Sequence, residues 1–191
     1  SIIVPTYLLA QFAAKKVTVV QLGEGADEIL GGYVHQLAMT YGHLINKAVP
    51  TTALLSFTKA MKHLPQRAWD IGFPYPEQMG KSGVDKVLDY VRNIDSPGKA
   101  YMSLCSVFTE DEKQNLIDPD FFHAYIKDNS PAHLYSHYLN CSNNSDFLNR
   151  LLQLDLKYWN VDLNLLRVDK LTMAHSIEAR VPFLDHRLVE L

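Results

Sequence analysis

The amino-acid sequence predicts an α/β protein that is predominantly α-helical, with one or two parallel strands. Three observations carry that reading. The run Val17 to Leu22 is apolar and β-branched almost throughout, which suits a parallel strand covered on both faces better than a half-exposed hairpin strand. A glycine turn, Gly23-Glu24-Gly25, follows it at once and leads into a helical pattern. Most of the remaining chain repeats its apolar residues with helical spacing.

In chain order, Pro5 suits the first turn of a helix running to about Lys15, with Leu8, Leu9, Phe12 and Ala13 on one face. The strand Val17 to Leu22 comes next. Beyond Tyr33, helical spacing covers Val34 to Asn46, Thr51 to His63 after Pro50, and Val84 to Asn93, where Val84, Val87, Leu88 and Val91 share a stripe. Ser96 before Pro97 opens another helix. Thr109, followed three positions later by Glu112, forms a capping box for a helix through about Leu116, which Asp118-Pro119-Asp120 ends. Phe147 to Trp159 reads as the longest late helix, and its face of Leu148, Leu151, Leu152 and Trp159 also carries Asp155. A buried carboxylate needs a partner, so Asp155 is expected to cap a neighbouring helix or to pair with a base such as Arg180. Pro65 to Lys81, containing Pro and Gly, is expected to be a connector and a subdomain boundary.

Composition narrows the functional classes. A chain of 191 residues can bury roughly 70 % of its unfolded surface, enough for a core without staples. With 18 basic and 21 acidic side chains, the formal charge of −3 gives no electrostatic case for nucleic acid or an anionic membrane. No apolar run approaches the ~20 residues that cross a bilayer, and no secretory leader is evident. Cys105 and Cys141 are too few for a disulfide scaffold and lack zinc spacing, so buried thiols in a reducing cytoplasm are expected. His133 and His137 stand four apart but lack the Glu of a metalloprotease helix, which points to surface histidines. The chain opens at Ser1 within a helical pattern and stops at Leu191 just after another begins, and is expected to be a piece of a longer protein.

The stretch "VVQLGEGADEILGGY", residues 19–33, gathers Glu24, Asp27 and Glu28 within five positions. Two like charges ~5 Å apart repel by about 3 kcal/mol at an effective dielectric near 20. A helix starting near Gly25 offers about half a positive charge, worth roughly 1 kcal/mol per acid, which does not offset three converging carboxylates. The turn lies beyond the carboxyl end of the strand, where ligands of open parallel sheets sit, and its glycines allow close approach to the backbone. These acids repel a bare phosphate yet suit one carrying Mg²⁺, which takes one or two carboxylates together with phosphate oxygens. A magnesium nucleotide is the expected ligand. On the turn alone, acids favoured by a helix dipole explain the pattern equally well.

The closing stretch "LLRVDKLTMAHSIEARVPFLDHRLVEL", residues 165–191, interleaves acids and bases. Lys170 follows Asp169 in a helical pattern, and with Arg180 and Arg187 it offers cations to an anionic ligand. Pro182 keeps Val181 out of the helical region, so 181–185 reads as an extended turn in which Asp185 caps the terminal helix. Taken alone, this segment reads as structural.

Together, "GEGADEILGGY" and "RVDKLTMAHSIEARVPFLDHRLVEL" closely resemble the two signature stretches of the synthetase domain of the glutamine-dependent asparagine synthetase family. "PTYLL" and "FTEDEK" are similar to further family sequence, and the resemblance runs from end to end, more weakly in the middle. It implies an adenine-nucleotide α-hydrolase-like fold with ATP and Mg²⁺ as cofactors. The implied chemistry has the side-chain carboxylate of aspartate attack the α-phosphate of ATP; pyrophosphate leaves, and ammonia displaces AMP from β-aspartyl-AMP. The implied source of ammonia is glutamine, hydrolysed by an N-terminal glutaminase domain of the same chain. By this resemblance Gly23 lines the nucleotide site with its backbone, and Glu24 helps position or deprotonate the amine nucleophile. Asp27 is associated with Mg²⁺ and pyrophosphate, and Lys170 stabilises the departing pyrophosphate. Glu28, Tyr33, Glu178, Arg180 and Asp185 match positions expected to be structural, and His175 and His186 are expected to act at most through other residues.

The sequence departs from the family pattern at Leu22, where the resemblance expects a Ser hydroxyl beside the nucleotide. The pyrophosphatase loop Ser-Gly-Gly-x-Asp-Ser and the glutaminase Cys are not among the 191 residues, so neither step is expected of this chain alone. Ser82-Gly83-Val84-Asp85 has one glycine and runs into an apolar stripe, which reads as a plain helix start. Two other readings stand beside the first: an enzyme of this fold that amidates a different carboxylate or closes a β-lactam, and a non-catalytic assembly module.

Overall fold

A computed structural model describes residues 2–61, 80–126, 130–140 and 146–190. Two compact units divide the chain, one of residues 1–36 with 145–191 and the other of residues 37–144. The division therefore falls after Gln36 and after Asn144, and not at Pro65 to Lys81; of that stretch, residues up to 79 lie outside the described ones, and Gly80 and Lys81 open a helix.

The first unit begins with α1 (Ile3–Ala13), β1 (Val19–Gln21), α2 (Ala26–Leu30) and the start of α3 (Val34–Ala48). β1 pairs in parallel with a second strand, Glu178–Arg180, with Val19 opposite Glu178 and Gln21 opposite Arg180. Hydrogen bonds from Glu178 N to Thr18 O and from Leu22 N to Arg180 O, each 2.9 Å, extend the ladder at both ends. The expected covering of β1 on both faces is not found: Val19 and Gln21 are exposed and Val20 is half-buried. Nor do Leu8, Leu9 and Phe12 form a buried face of α1; all three are more than half exposed, and Ala10 is its buried residue. α1 is apolar on nearly every side, so its spacing singles out no one face.

The second unit holds the rest of α3 with α4 (Thr51–Met61), α5 (Gly80–Arg92), α6 (Pro97–Cys105), α7 (Glu110–Leu116), α8 (Pro119–Phe121), a π turn at Phe122–Ile126, and α9 (Pro131–Asn140). The decoy Ser82 to Asp85 lies inside α5, as a plain helix start predicts. Thr109 and Glu112 form the reciprocal capping box of α7, with Glu112 N donating to Thr109 Oγ1 and Thr109 N to Glu112 Oε2. Asp118 goes further than ending α7, because its Oδ1 accepts from Asp120 N and Phe121 N and so starts α8. Leu88, Val91, Ala100, Tyr101 and Leu139 are buried, and the Tyr101 and Tyr135 rings meet edge-on at 5.2 Å. α6 and α9 approach closely at Gly98, whose N donates to Ser136 Oγ at 3.0 Å. Cys105 is half-buried, and Cys141 lies outside the described residues. His133 and His137 share α9 on its exposed side.

The chain then returns to the first unit through α10 (Phe147–Leu154), a π-helical segment Asp155–Leu165, α11 (Leu166–Met173), β2 (Glu178–Arg180), a 3₁₀ turn Pro182–Leu184 and α12 (His186–Val189). Leu151, Leu154, Val168 and Ile177 are buried in it. The expected single helix Phe147 to Trp159 changes winding at Asp155, and the 181–185 segment is a 3₁₀ turn followed by the expected Asp185 cap, which accepts from Arg187 N at 3.0 Å. Among the described residues no helix is long and apolar enough to cross a membrane.

A Cβ at Gly98 would lie 2.0 Å from Ala132 O and 2.5 Å from Ser136 N, both backbone atoms. Gly98→Ala is expected to destabilise the protein by about 1–3 kcal/mol, read from the midpoint of urea unfolding. Tyr90 donates its hydroxyl to Ala38 O at 3.0 Å, and burial pushes its pKa up to about 12. Its contribution to stability is full below about pH 10, the ordinary tyrosine value, and is lost as pH rises through about 12. Tyr90→Phe is expected to flatten the fall in stability over that interval, measured by denaturant titration at stepped pH.

Candidate functional site

The first motif leaves the sheet at Leu22, whose N–H completes the pairing with Arg180, and turns at Gly23 to Gly25. Gly25 is the N-cap of α2 with φ 94°, a left-handed conformation that glycine adopts without strain. A Cβ there would also lie 2.3 Å from Leu184 Cδ2, so the PFL turn of the second motif packs directly on the glycine turn of the first. Gly23 is exposed and has open space at the position of a Cβ. After α2, Gly31 and Gly32 both donate backbone N–H to Asp27 O at 3.0 Å, and a Cβ on Gly32 would collide with the Asp27 carboxylate.

The three acids of the turn part company. Glu28 points inward and is 1 % exposed. Its Oε1 accepts the Tyr33 hydroxyl at 2.8 Å and Asn164 Nδ2 at 3.0 Å, and Asn164 Oδ1 in turn accepts from Arg167 at 3.0 Å. Burial, reinforced by the Glu28 carboxylate beside it, pushes the Tyr33 hydroxyl well above its usual pKa, so it stays a donor. Glu24 is half-buried and Asp27 exposed, and among the described residues neither carboxylate has a hydrogen-bond or ion-pair partner. Like-charge crowding is thus relieved by sending one acid into the protein and leaving two facing outward.

A second buried carboxylate stands beside this one. Asp155, fully buried, has its Oδ2 2.9 Å from His35 Nε2 and accepts from Gln36 Nε2 at 2.7 Å. Its partners are therefore at the start of α3 and not Arg180, which pairs with Glu178 at the surface. Gln36 Oε1 also accepts from Tyr33 N, and the Tyr33 ring stacks on His35 at 5.2 Å with Trp159 edge-on to Tyr33. The π winding is what turns these groups inward. Asp155 and Asn160, five apart, would face different ways in an α-helix of 3.6 residues per turn, whereas i→i+5 bonding brings both to the buried side, where Asn164, four residues on, joins them. Asn160 Oδ1, buried there, has no hydrogen-bond partner among the described residues.

Lys170 is exposed on α11, and among the described residues its ammonium pairs with neither Glu24 nor Asp27 nor any other group. The two motifs are joined instead by strand pairing and by Gly25 against Leu184, and Glu28 is bonded to Asn164, the residue just before the second stretch. Glu178 and Arg180 form β2, and Tyr33 and Glu28 the buried pair. His175 Nε2 is buried without a hydrogen-bond partner among the described residues, with the ring edge-on to Tyr7 at 4.4 Å; the next residue, Ser176, has φ 56°. His186 lies exposed on α12. Asn164, Arg167, His35 and Gln36 escaped the sequence reading, since an amide among leucines and a change of helical winding leave no mark in apolar periodicity. Among the described residues no group of three or more His, Cys, Asp or Glu could hold a metal by protein ligands alone. A cavity of about 440 Å³ in the second unit, lined by Lys86, Lys99 and His133 among others, contains no residue of either motif. Gly25→Ala, with an L side chain forced to φ 94° and onto Leu184, is expected to cost about 1–3 kcal/mol, and pairing it with Leu184→Ala should recover part of that in a double-mutant cycle by denaturant unfolding.

Comparison with known proteins matches these stretches as parts of one family. The asparagine synthase family model covers residues 1–191. Asparagine synthetase [glutamine-hydrolyzing] 1 of Bacillus subtilis (strain 168) is 30 % identical over 183 residues, 95 % of this chain and 25 % of that protein. A putative asparagine synthetase [glutamine-hydrolyzing] of Mycobacterium tuberculosis H37Rv is 30 % identical over 187 residues, 96 % of this chain and 25 % of its own length, as is that of Mycobacterium bovis. The chain thus spans about a quarter of these curated relatives. No solved structure matches it. Matched from its first residue to its last, the chain belongs to the asparagine synthase family.

Proposed function

We propose that the full-length protein carrying this chain is a ligase that forms an amide at the expense of ATP, converting aspartate to asparagine through β-aspartyl-AMP with ammonia taken from glutamine. The observation that carries the reading is the sorting of the acidic turn: Glu28 is buried and hydrogen-bonded, while Glu24 and Asp27, which follow the carboxyl end of β1, have no hydrogen-bond or ion-pair partner among the described residues. Two such carboxylates on one turn fit Mg²⁺, which needs only one or two beside phosphate oxygens. When bound, the metal offsets the negative charge of the polyphosphate.

In this reading Asp27 holds the metal through pyrophosphate, and Gly32, with no side chain, leaves room for that carboxylate. Glu24 orients the amine nucleophile and takes up its proton. Gly23 exposes backbone to the nucleotide, and the unpaired Lys170 ammonium stabilises the charge on the departing pyrophosphate. The remaining parts, a pyrophosphatase loop and an N-terminal glutaminase domain, are supplied by the rest of the chain, and the protein works in the cytoplasm. Leu22 favours one second reading, a different acceptor carboxylate or a β-lactam closure, because an apolar side chain stands where a hydroxyl is expected.

Full-length protein given aspartate, ATP, Mg²⁺ and glutamine should release asparagine and pyrophosphate, and Lys170→Ala should lower kcat on the order of 10²–10³-fold. Amide formed on another carboxylate but not on aspartate would select the second reading, and no amide on any acceptor would reject both. The 191-residue chain alone is expected to be inactive and to show no micromolar Mg-ATP binding by calorimetry.

A further inference from the structure

The Glu28 carboxylate and the helix that bears Lys170 are connected through one side chain. Asn164 gives Nδ2 to Glu28 Oε1 and takes Arg167 on Oδ1, so a continuous path of hydrogen bonds runs from α2 to the first turn of α11. Asp27 immediately precedes Glu28 in α2, and Lys170 follows Arg167 by three residues, one turn along the same helix. Both distances across the amide are 3.0 Å; Asn164 is 5 % exposed and its bond to Glu28 is buried, while its bond to Arg167 is partly buried. The chemistry of the position is narrow. An amide offers a donor and an acceptor on a short stem; an Asp would set a second carboxylate against Glu28, and an apolar residue would leave Glu28 with the Tyr33 hydroxyl alone among these donors.

We propose that Asn164 is a positioning residue, which couples the acidic turn to the lysine-bearing helix so that Glu24, Asp27 and Lys170 hold one fixed arrangement around their ligand. The catalytic consequence rests on the function proposed above; the mechanical coupling does not. An error of about 1 Å in such an arrangement costs up to about a hundredfold in rate while leaving ground-state binding largely intact.

The test uses the full-length protein. Asn164→Ala is expected to lower kcat for amide formation roughly 10- to 100-fold with KM for ATP and for aspartate within about twofold. Glu28→Gln keeps an acceptor oxygen for both donors and is expected to hold kcat within about threefold at an unchanged Mg²⁺ requirement, whereas Glu28→Ala should resemble Asn164→Ala. Hydrogen exchange supplies a readout without activity: Asn164→Ala should speed exchange in residues 26–30 and 166–173 together. Should that variant fail to fold, Arg167→Met, which cuts only the outer bond, is expected to give the same paired acceleration more weakly. Unchanged kcat in Asn164→Ala, a rise in KM equal to the fall in kcat/KM, or faster exchange confined to 155–165 would overturn the proposal. Loss of activity in Glu28→Gln that excess Mg²⁺ restores would overturn it as well, by making Glu28 a metal ligand. A wild-type protein that forms no amide would reject the functional reading and leave the coupling to be decided by exchange.

Discussion

The buried carboxylate of Glu28, accepting from Tyr33 and Asn164, is the constraint on which the neighbouring geometry depends. A carboxylate removed from water is tolerated only when its oxygens are occupied, and here the donors come from the chain just after α2 and from a segment 136 residues away. Satisfying that charge draws the acidic turn against the π-helical segment. Asp155, bound by His35 and Gln36, repeats the arrangement at the other end of the same segment. The stretch 28–36 is therefore anchored twice, each time by a side chain of 155–164.

Anchoring Glu28 also determines what its neighbours are free to do. Three acids on one turn cannot all face the same point without a cation, and the protein answers by burying one, while Glu24 and Asp27 stay unpaired among the described residues. Among the described residues Lys170 is unpaired as well. Other charged groups of the second motif have partners within the fold, Asp185 with Arg187 and Glu178 with Arg180. The close approach of Leu184 to Gly25 and the parallel pairing of β1 with β2 set the two motifs side by side, so residues far apart in sequence belong to one region.

What could be read directly from the chain follows the range of the interactions. The Thr109–Glu112 box, the Asp185 cap, the glycine N-cap of α2 and the plain helix start at Ser82 were legible because each involves residues at most a few positions apart. The burial of α1 was misjudged because its apolar residues point all round, and the second parallel strand, allowed for in the fold class, was not located because Glu178 and Arg180 flank a single small residue. Asp155 was recognised as an acid in need of a partner, yet the base expected to meet it, Arg180, is held by Glu178.

By itself the sequence determined the helical majority, the strand–turn–helix order around the acidic turn, the family to which the chain belongs and the residues that carry charge in its two motifs. Only the tertiary structure decided which of those charges are consumed. Glu28 and Glu24 are the same residue type four positions apart, and their difference lies in a donor at Asn164 that an i→i+5 winding turns inward. Local sequence encodes conformation through bonds between near neighbours, whereas the state of a carboxylate depends on whichever distant groups the folded chain brings within about 3 Å of it.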